Sequence, residues 1–215
     1  MHLDRPASPI GRRRSPDGGV APAALPARTD VAVIGGGLIG LSIAWRLARA
    51  GRAVTVLERD TIGAGASLAA TGMLAPAAEH EPGSDPLLPL ALASLRLWPE
   101  FRDALEAESG RMIDYRPDGT LVLAVGRDEV ERLRFRFDLQ RRSGLEAAWL
   151  PGSEVRRLEP GLRPSVTAGI HCPLDHQVDP RMVMDALTEA CRRAGVILVE
   201  RTPVTGLDWS GGHVA

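Results

Sequence analysis

The chain is poor in cysteine, in aromatic residues and in any surplus of charge. Cys172 and Cys191 are its two thiols, and with no recognisable secretion signal they read as reduced cytosolic cysteines rather than a disulfide. Basic residues number 26 and acidic residues 27, a formal net charge of -1, so there is no general field to draw nucleic acid or an anionic membrane. Aromatic residues make up 4% of the chain. Trp98, Trp149 and Trp209 have no basic stripe beside them and read as core or rim residues, not base-stacking platforms. No apolar run approaches the roughly 18 residues that a membrane-spanning helix needs. His80, His171, His176 and His213 show no pair at metal-ligand spacing in a recognisable frame, so no metal site is expected. No repeat period suggests a solenoid.

The 215 residues, 44% of them apolar, suffice for one large domain or two small ones with real cores. Residues 1–29 are different material, rich in Pro, Arg, Ala and Gly without apolar periodicity, and are expected to form a disordered tail. Arg12, Arg13 and Arg14 do not make a twin-arginine export signal, because Ser15, Pro16, Asp17, Gly18 and Gly19 follow where an apolar run is needed.

Order is expected from Asp30. Val31 to Ile34 read as a buried strand that ends in Gly35, Gly36 and Gly37. Apolar residues from Leu38 to Ala50 fall at helical spacing, with Gly51 placed to stop the helix. Ala53 to Leu57 form a second buried strand closing on Glu58, which completes a βαβ unit with both strands parallel. Leu87 to Ala107 read as a helix broken or bent at Pro99. Arg111 to Tyr115 and Thr120 to Val125 read as a hairpin turning through Pro117, Asp118 and Gly119. Glu129 to Arg142 read as an exposed helix with Val130, Leu133, Phe135 and Leu139 as its apolar positions. Asp179 is an N-cap, Pro180 the first residue of a helix to about Arg193, and Val196 to Val199 a strand that returns to the first sheet. Val204 to Leu207 start another strand, followed by a turn into Val214.

The predicted fold class is α/β: a Rossmann-like dinucleotide-binding domain from residues 30–80 and 178–215, with an inserted mixed α+β lobe over residues 81–177. Gly35-Gly36-Gly37-Leu38-Ile39-Gly40 fits G-x-G-x-x-G, a weak signal alone but here set between a strand and a helix. Gly35 allows the tight turn, Gly37 lets the backbone approach a pyrophosphate, and Gly40 lets the helix pack close to the sheet. The helix start at Leu38 offers free N–H groups and the positive end of its dipole to phosphates. Glu58, 18 residues after Gly40, is placed to accept the hydroxyls of an adenosine ribose, which favours a 2′-hydroxyl cofactor over a 2′-phosphate. The alternative for Glu58 is a solvated strand-end carboxylate. The small-residue run from Arg59 to Pro76 permits close backbone approach to a buried flat cofactor; the alternative is a flexible loop.

The run Glu58-Arg59 through Gly65-Ala66-Ser67, Ala69-Ala70 and Gly72-Met73-Leu74-Ala75-Pro76 resembles the flavin loop of the D-amino-acid oxidase superfamily, and within it the thiamine-pathway glycine oxidases. Gln177-Val178-Asp179-Pro180-Arg181 resembles that family's entry to the helix returning to the cofactor domain, and Thr202-Pro203-Val204 a third landmark. The likeness runs from Asp30 to Ala215. It implies FAD as cofactor, with Leu38 and Ile39 at the pyrophosphate, Glu58 and Arg59 at the adenosine, and Ala66 and Ser67 at the phosphates or ribityl chain. Thr71, Gly72 and Met73 would lie by the isoalloxazine, and the Val204 backbone by the adenine. Thr71 departs from the alanine frequent in the family.

The resemblance also implies oxidation of glycine or another small amine or D-amino acid, hydride passing from its α-carbon to flavin N5, with O₂ reduced to hydrogen peroxide. It implies a cytoplasmic protein that feeds thiamine biosynthesis, with a homo-oligomeric assembly left open. A D-amino-acid dehydrogenase, a sarcosine-oxidase-like enzyme and a noncatalytic FAD-binding module stay open. The family's substrate-binding arginine and tyrosine come from segments expected beyond Ala215, so no catalytic residue is assigned; Arg111 and Arg116 read as surface residues.

Overall fold

The computed structural model describes residues 25–210 and 213–214. The expected disordered tail lies outside the described residues except for residues 25–29. The chain enters β1 (Val31–Ile34), passes through three glycines into α1 (Leu38–Arg49) and returns as β2 (Val54–Leu57). β1 and β2 pair in parallel, from Val31 opposite Val54 to Ile34 opposite Leu57. Beyond the end of α1, Gly51 takes φ +79°, the left-handed conformation that costs glycine nothing.

There follow α2 (Ala66–Ala69), β3 (Met73–Leu74), α3 (Leu88–Ser109), β4 (Thr120–Ala124), α4 (Arg127–Arg142), β5 (Ala148–Pro151), α5 (Gly152–Leu158), β6 (Ala168–Cys172) and β7 (His176–Gln177). The chain then returns through α6 (Pro180–Arg193) to β8 (Ile197–Val199), which joins β2 in parallel to give the sheet order β1-β2-β8. β9 (Trp209–Ser210) and β10 (His213–Val214) pair antiparallel.

α6 shows why this chain returns where it does. Asp179 accepts hydrogen bonds from the Arg181 and Met182 amides at 2.8 and 3.3 Å, satisfying two of the helix's free donors. Val183, Met184, Ala186, Leu187, Ala190 and Cys191 then form one buried stripe. That stripe meets Leu41, Ala44 and Trp45 of α1 and Val54 and Val56 of β2 in one core, to which α3 adds Leu105. Burying each of the larger side chains contributes about 1.5–3 kcal/mol.

A second core lies under the antiparallel sheet β4-β6-β5, where Ala124, Ile170 and Cys172 meet Leu133 of α4 and Ala75, Ala77 and Ala78. Both cysteines are buried free thiols, and burial pushes Cys172 up to about 11 and Cys191 up to about 12.

The structure differs from the sequence expectations in five places. Arg111 to Tyr115 are not a strand: Ile113 and Tyr115 turn into the first core, and only Arg116 forms a bridge, to Gln177. β4 accordingly pairs antiparallel with β6, Thr120 opposite Cys172 and Ala124 opposite Ala168, and not with a preceding hairpin arm. α3 is not broken at Pro99, which sits on the exposed side while Leu95 and Leu105 are buried. Phe135 is 55% exposed, and Phe137 packs against the second core instead. Val204 to Leu207 are not a strand. β1 is only half-buried, through Val31 and Val33 on one face; among the described residues it is an edge strand, and Ala32 and Ile34 are exposed.

Candidate cofactor site

The glycine turn joins β1 to α1 at the carboxyl end of the parallel sheet, where ligands of such sheets gather. Gly35 has φ +106°, and no atom lies within 4 Å of where its Cβ would stand. A Cβ on Gly40 would overlap the Gly35 carbonyl oxygen, so the helix rests directly on the turn that precedes it. A Cβ on Gly37 would meet only Ser67 Oγ, at 3.2 Å. The turn is therefore packed on one side and open on the other.

Ser67, at the start of α2, accepts a hydrogen bond from the Leu38 amide at 2.9 Å. The amides of Ile39 and Gly40 have no acceptor among the described residues, as expected of a first helical turn. Ile39 is 77% exposed. The loop after β2 thus reaches the helix start with a hydroxyl whose proton remains available.

Glu58 follows β2 directly. One of its carboxylate oxygens accepts the Gly36 amide at 2.7 Å and the other the Asp60 amide at 2.9 Å. These bonds, that from Asp60 first and that from Gly36 second, hold its carboxyl below the ordinary glutamate range against a smaller opposing effect of burial. Each oxygen keeps further lone-pair capacity for a hydroxyl donor. Arg59 is exposed, 3.8 Å from Asp60.

The rest of the small-residue run wraps back onto the sheet. The Gly63 amide donates to the Gly36 carbonyl at 3.0 Å, and the Ile62 amide to Glu200 at 2.8 Å. Ala66 is exposed, Gly72 has φ +85°, and Met73 opens β3 opposite Gln177 of β7. Thr71 borders an open, polar cavity of about 390 Å³ lined also by Asp114, Arg116, Gln177 and Arg181. Arg116 there is held by Asp114 in a two-point ion pair, at 2.8 and 2.7 Å. A larger groove of about 750 Å³ between β4 and α4 contains none of the expected site residues. Val204 lies half-buried on the segment whose Thr202 amide donates to the Glu58 carbonyl at 2.8 Å.

Residues 30–215 match the family described as FAD dependent oxidoreductase, DAO. The chain belongs to that family. Glycine oxidase of Geobacillus kaustophilus is 37% identical over 189 residues, covering 87% of this chain and 50% of the relative. The bifunctional protein ThiO/ThiG of Synechocystis is 38% identical over 190 residues, covering 86% of this chain and 27% of the relative. The crystal structure of glycine oxidase from Bacillus cereus superposes with a TM-score of 0.79 at 32% identity, covering 87% of this chain and 50% of that one. The chain thus spans about half the length of the glycine oxidases it matches.

The turn fits the cofactor in this DAO family's name. Open backbone at Gly35 and Gly37, free amides on Ile39 and Gly40, and a charged acceptor in Glu58 are the donors and acceptor that a diphosphate and a ribose require. No group of three or more His, Cys, Asp or Glu side chains gathers to hold a metal among the described residues, and no helix there is long and apolar enough to cross a membrane.

Sequence reasoning missed a buried set behind the Gly72–Ala78 segment. Asp175, Gln140 and His80 are almost wholly buried. Asp175 accepts from the Ala77 and Ala78 amides, and Gln140 donates to the Ala77 carbonyl at 2.7 Å. His80 is flanked by Ser143 at 2.8 Å and Ser84 at 3.0 Å. Tyr115 Oη lies 2.6 Å from His176 Nδ1. Partners separated by 97 and 98 positions leave no local pattern to find.

Proposed function

We propose that this chain carries the FAD-binding part of an enzyme that oxidises glycine or another small amine or D-amino acid to its imine. The observation that carries the reading is the convergence of the Gly35–Gly40 turn, the Ser67 hydroxyl and the Glu58 carboxylate on one end of a parallel sheet, in a chain of the FAD-dependent oxidoreductase family. Likeness to glycine oxidases supports the substrate class, and likeness to ThiO/ThiG supports a place in thiamine biosynthesis. When bound, FAD supplies the two-electron chemistry, with O₂ as the proposed final acceptor and hydrogen peroxide as its product.

The chain's own residues bind and orient. Ile39 and Gly40 direct their amides, and α1 its dipole, at the diphosphate. Ser67 accepts from Leu38 and donates its remaining proton to a phosphate oxygen or the ribityl chain. Glu58, charged at neutral pH, accepts ribose hydroxyls and repels a 2′-phosphate, with Arg59 alongside. The Val204 backbone takes the adenine, and Ala66 leaves room for the phosphates. Thr71, Gly72 and Met73 line the ring. Residues 30–80 and 178–215 form the cofactor-binding part and residues 81–177 a second lobe; the two cores follow this division only in part, since Ala75, Ala77 and Ala78 pack in the second core and Leu105 and Ile113 in the first. α3 spans them, with Leu105 in the first and Leu88 and Leu92 against the second.

The test is to load the chain with FAD, remove the excess, and add glycine without oxygen. Loss of the flavin's visible absorbance, restored by air with release of peroxide, is the expected result for amine oxidation. Retained absorbance that glycine leaves unchanged would reduce the proposal to cofactor binding.

A further inference from the structure

The segment Asp175–Val178 lies along Gly72–Ala78 as a clip. At one end the Val178 amide donates to the Gly72 carbonyl at 2.9 Å. In the middle, Met73 pairs with Gln177 and Leu74 with His176. At the other end the two oxygens of Asp175 each accept one amide, Ala77 and Ala78, both at 2.9 Å. Asp175 is completely buried.

A ladder of two residues per strand is marginal alone. The outer supports of this one are unequal. The bridge between Arg116 and Gln177 runs along an exposed loop, with N–O distances of 2.9 Å in both directions. The carboxylate end is buried, and there the Ala77–Ala78 peptides are held from both sides: their amides by Asp175, their carbonyls by Gln140 and Arg136. A buried carboxylate satisfied by two amides is costly to disturb, because opening it strands three polar groups. The clip leaves no slack at its near end, since a Cβ on Gly72 would overlap the Val178 carbonyl.

We propose that Asp175 is a positioning residue for the flavin: by anchoring the buried end of this clip, it fixes Gly72 and Met73, and with them the seat of the isoalloxazine. The inference rests on the cofactor reading above for the identity of what is seated, and on hydrogen bonds alone for the clip. Asp175 touches no part of the proposed cofactor site itself. Its carboxylate acts through five residues of main chain, from Leu74 to Ala78.

The test compares the wild-type chain with D175N, which keeps the side chain's shape but opposes an amide N–H₂ to one of the two main-chain donors. Amide exchange, measured without FAD, is expected to speed at least about tenfold at Gly72–Leu74 as well as at Ala77 and Ala78, with α6 unchanged. In chains loaded with FAD, the visible band and reduction potential are expected to shift. A Q140M variant, which frees the Ala77 carbonyl without cutting the clip, is expected to leave Gly72–Leu74 and the flavin band as in wild type. Faster exchange confined to Ala77 and Ala78, with the flavin band unmoved, would overturn the proposal. If D175N does not fold, D175S, whose single hydroxyl cannot accept both amides, carries the same two readouts. If the wild-type chain takes up no FAD, the cofactor reading falls, and the exchange measurement still decides whether Asp175 holds the loop.

Discussion

Ser67 Oγ stands 2.9 Å from the Leu38 nitrogen and accepts its hydrogen bond, so a residue of α2, 29 positions downstream, caps the helix that follows the glycine turn. This bond joins the two segments that a dinucleotide must touch together. In the proposed cofactor site it makes the Ser67 hydroxyl part of the phosphate seat. S67A is expected to weaken FAD binding about tenfold, the loss of one hydrogen bond to a charged group. The cost to folding should be about 1 kcal/mol, as for other helix-cap deletions. Flavin fluorescence titration and thermal unfolding measure the two effects separately.

Gly40 and Gly37 should fail in different ways. At Gly40 an added methyl group meets main chain, the Gly35 carbonyl, and nothing flexible can give way. G40A is expected to destabilise the fold by about 1–3 kcal/mol, a fall in melting temperature of about 2–4 °C for each kcal/mol. At Gly37 the methyl meets only a serine oxygen at 3.2 Å. G37A should melt close to wild type yet bind FAD at least about tenfold more weakly, because the methyl occupies the approach to the diphosphate. Equal melting losses in the two variants would refute this division of roles.

Glu58 ties the glycine turn to acid. Its folded pKa is lowered, chiefly by the Asp60 amide and then by the Gly36 amide. The stabilisation is therefore complete above the ordinary glutamate value and is lost as pH falls through the lowered folded value. E58Q removes this titration. The stability difference between wild type and E58Q should be constant near neutrality and shrink below the ordinary glutamate range. A difference that stays the same across the acid range would contradict the assignment.

Local features of the fold were legible in the sequence. The Gly35–Gly40 turn, the stop at Gly51 and the Asp179 cap each act within a few residues, and each stands where spacing and chemistry put it. Features decided by distant partners were not. Thr120 to Ala124 carry strand propensity, but their partner is Ala168 to Cys172, and the nearer candidate, Arg111 to Tyr115, is drawn into the core by Ile113 and Tyr115. Phe135 is the exception to this division: Phe137 lies four residues after Leu133 and seven after Val130, on the buried stripe and 6.0 Å from the Trp149 ring, whereas Phe135 falls on the other side, so helical spacing itself separates the two. The Asp175 carboxylate is satisfied by amides nearly a hundred positions away, so its sequence neighbourhood carries no sign of it.

The central claim is that the glycine turn, Ser67 and Glu58 form an FAD seat, and equilibrium dialysis of the purified chain against FAD tests it most directly. The account predicts saturable uptake of about one FAD per chain, weakened at least about tenfold in both G37A and E58Q while their far-ultraviolet circular dichroism stays that of wild type. Absence of saturable uptake, or uptake that neither substitution alters, would contradict it.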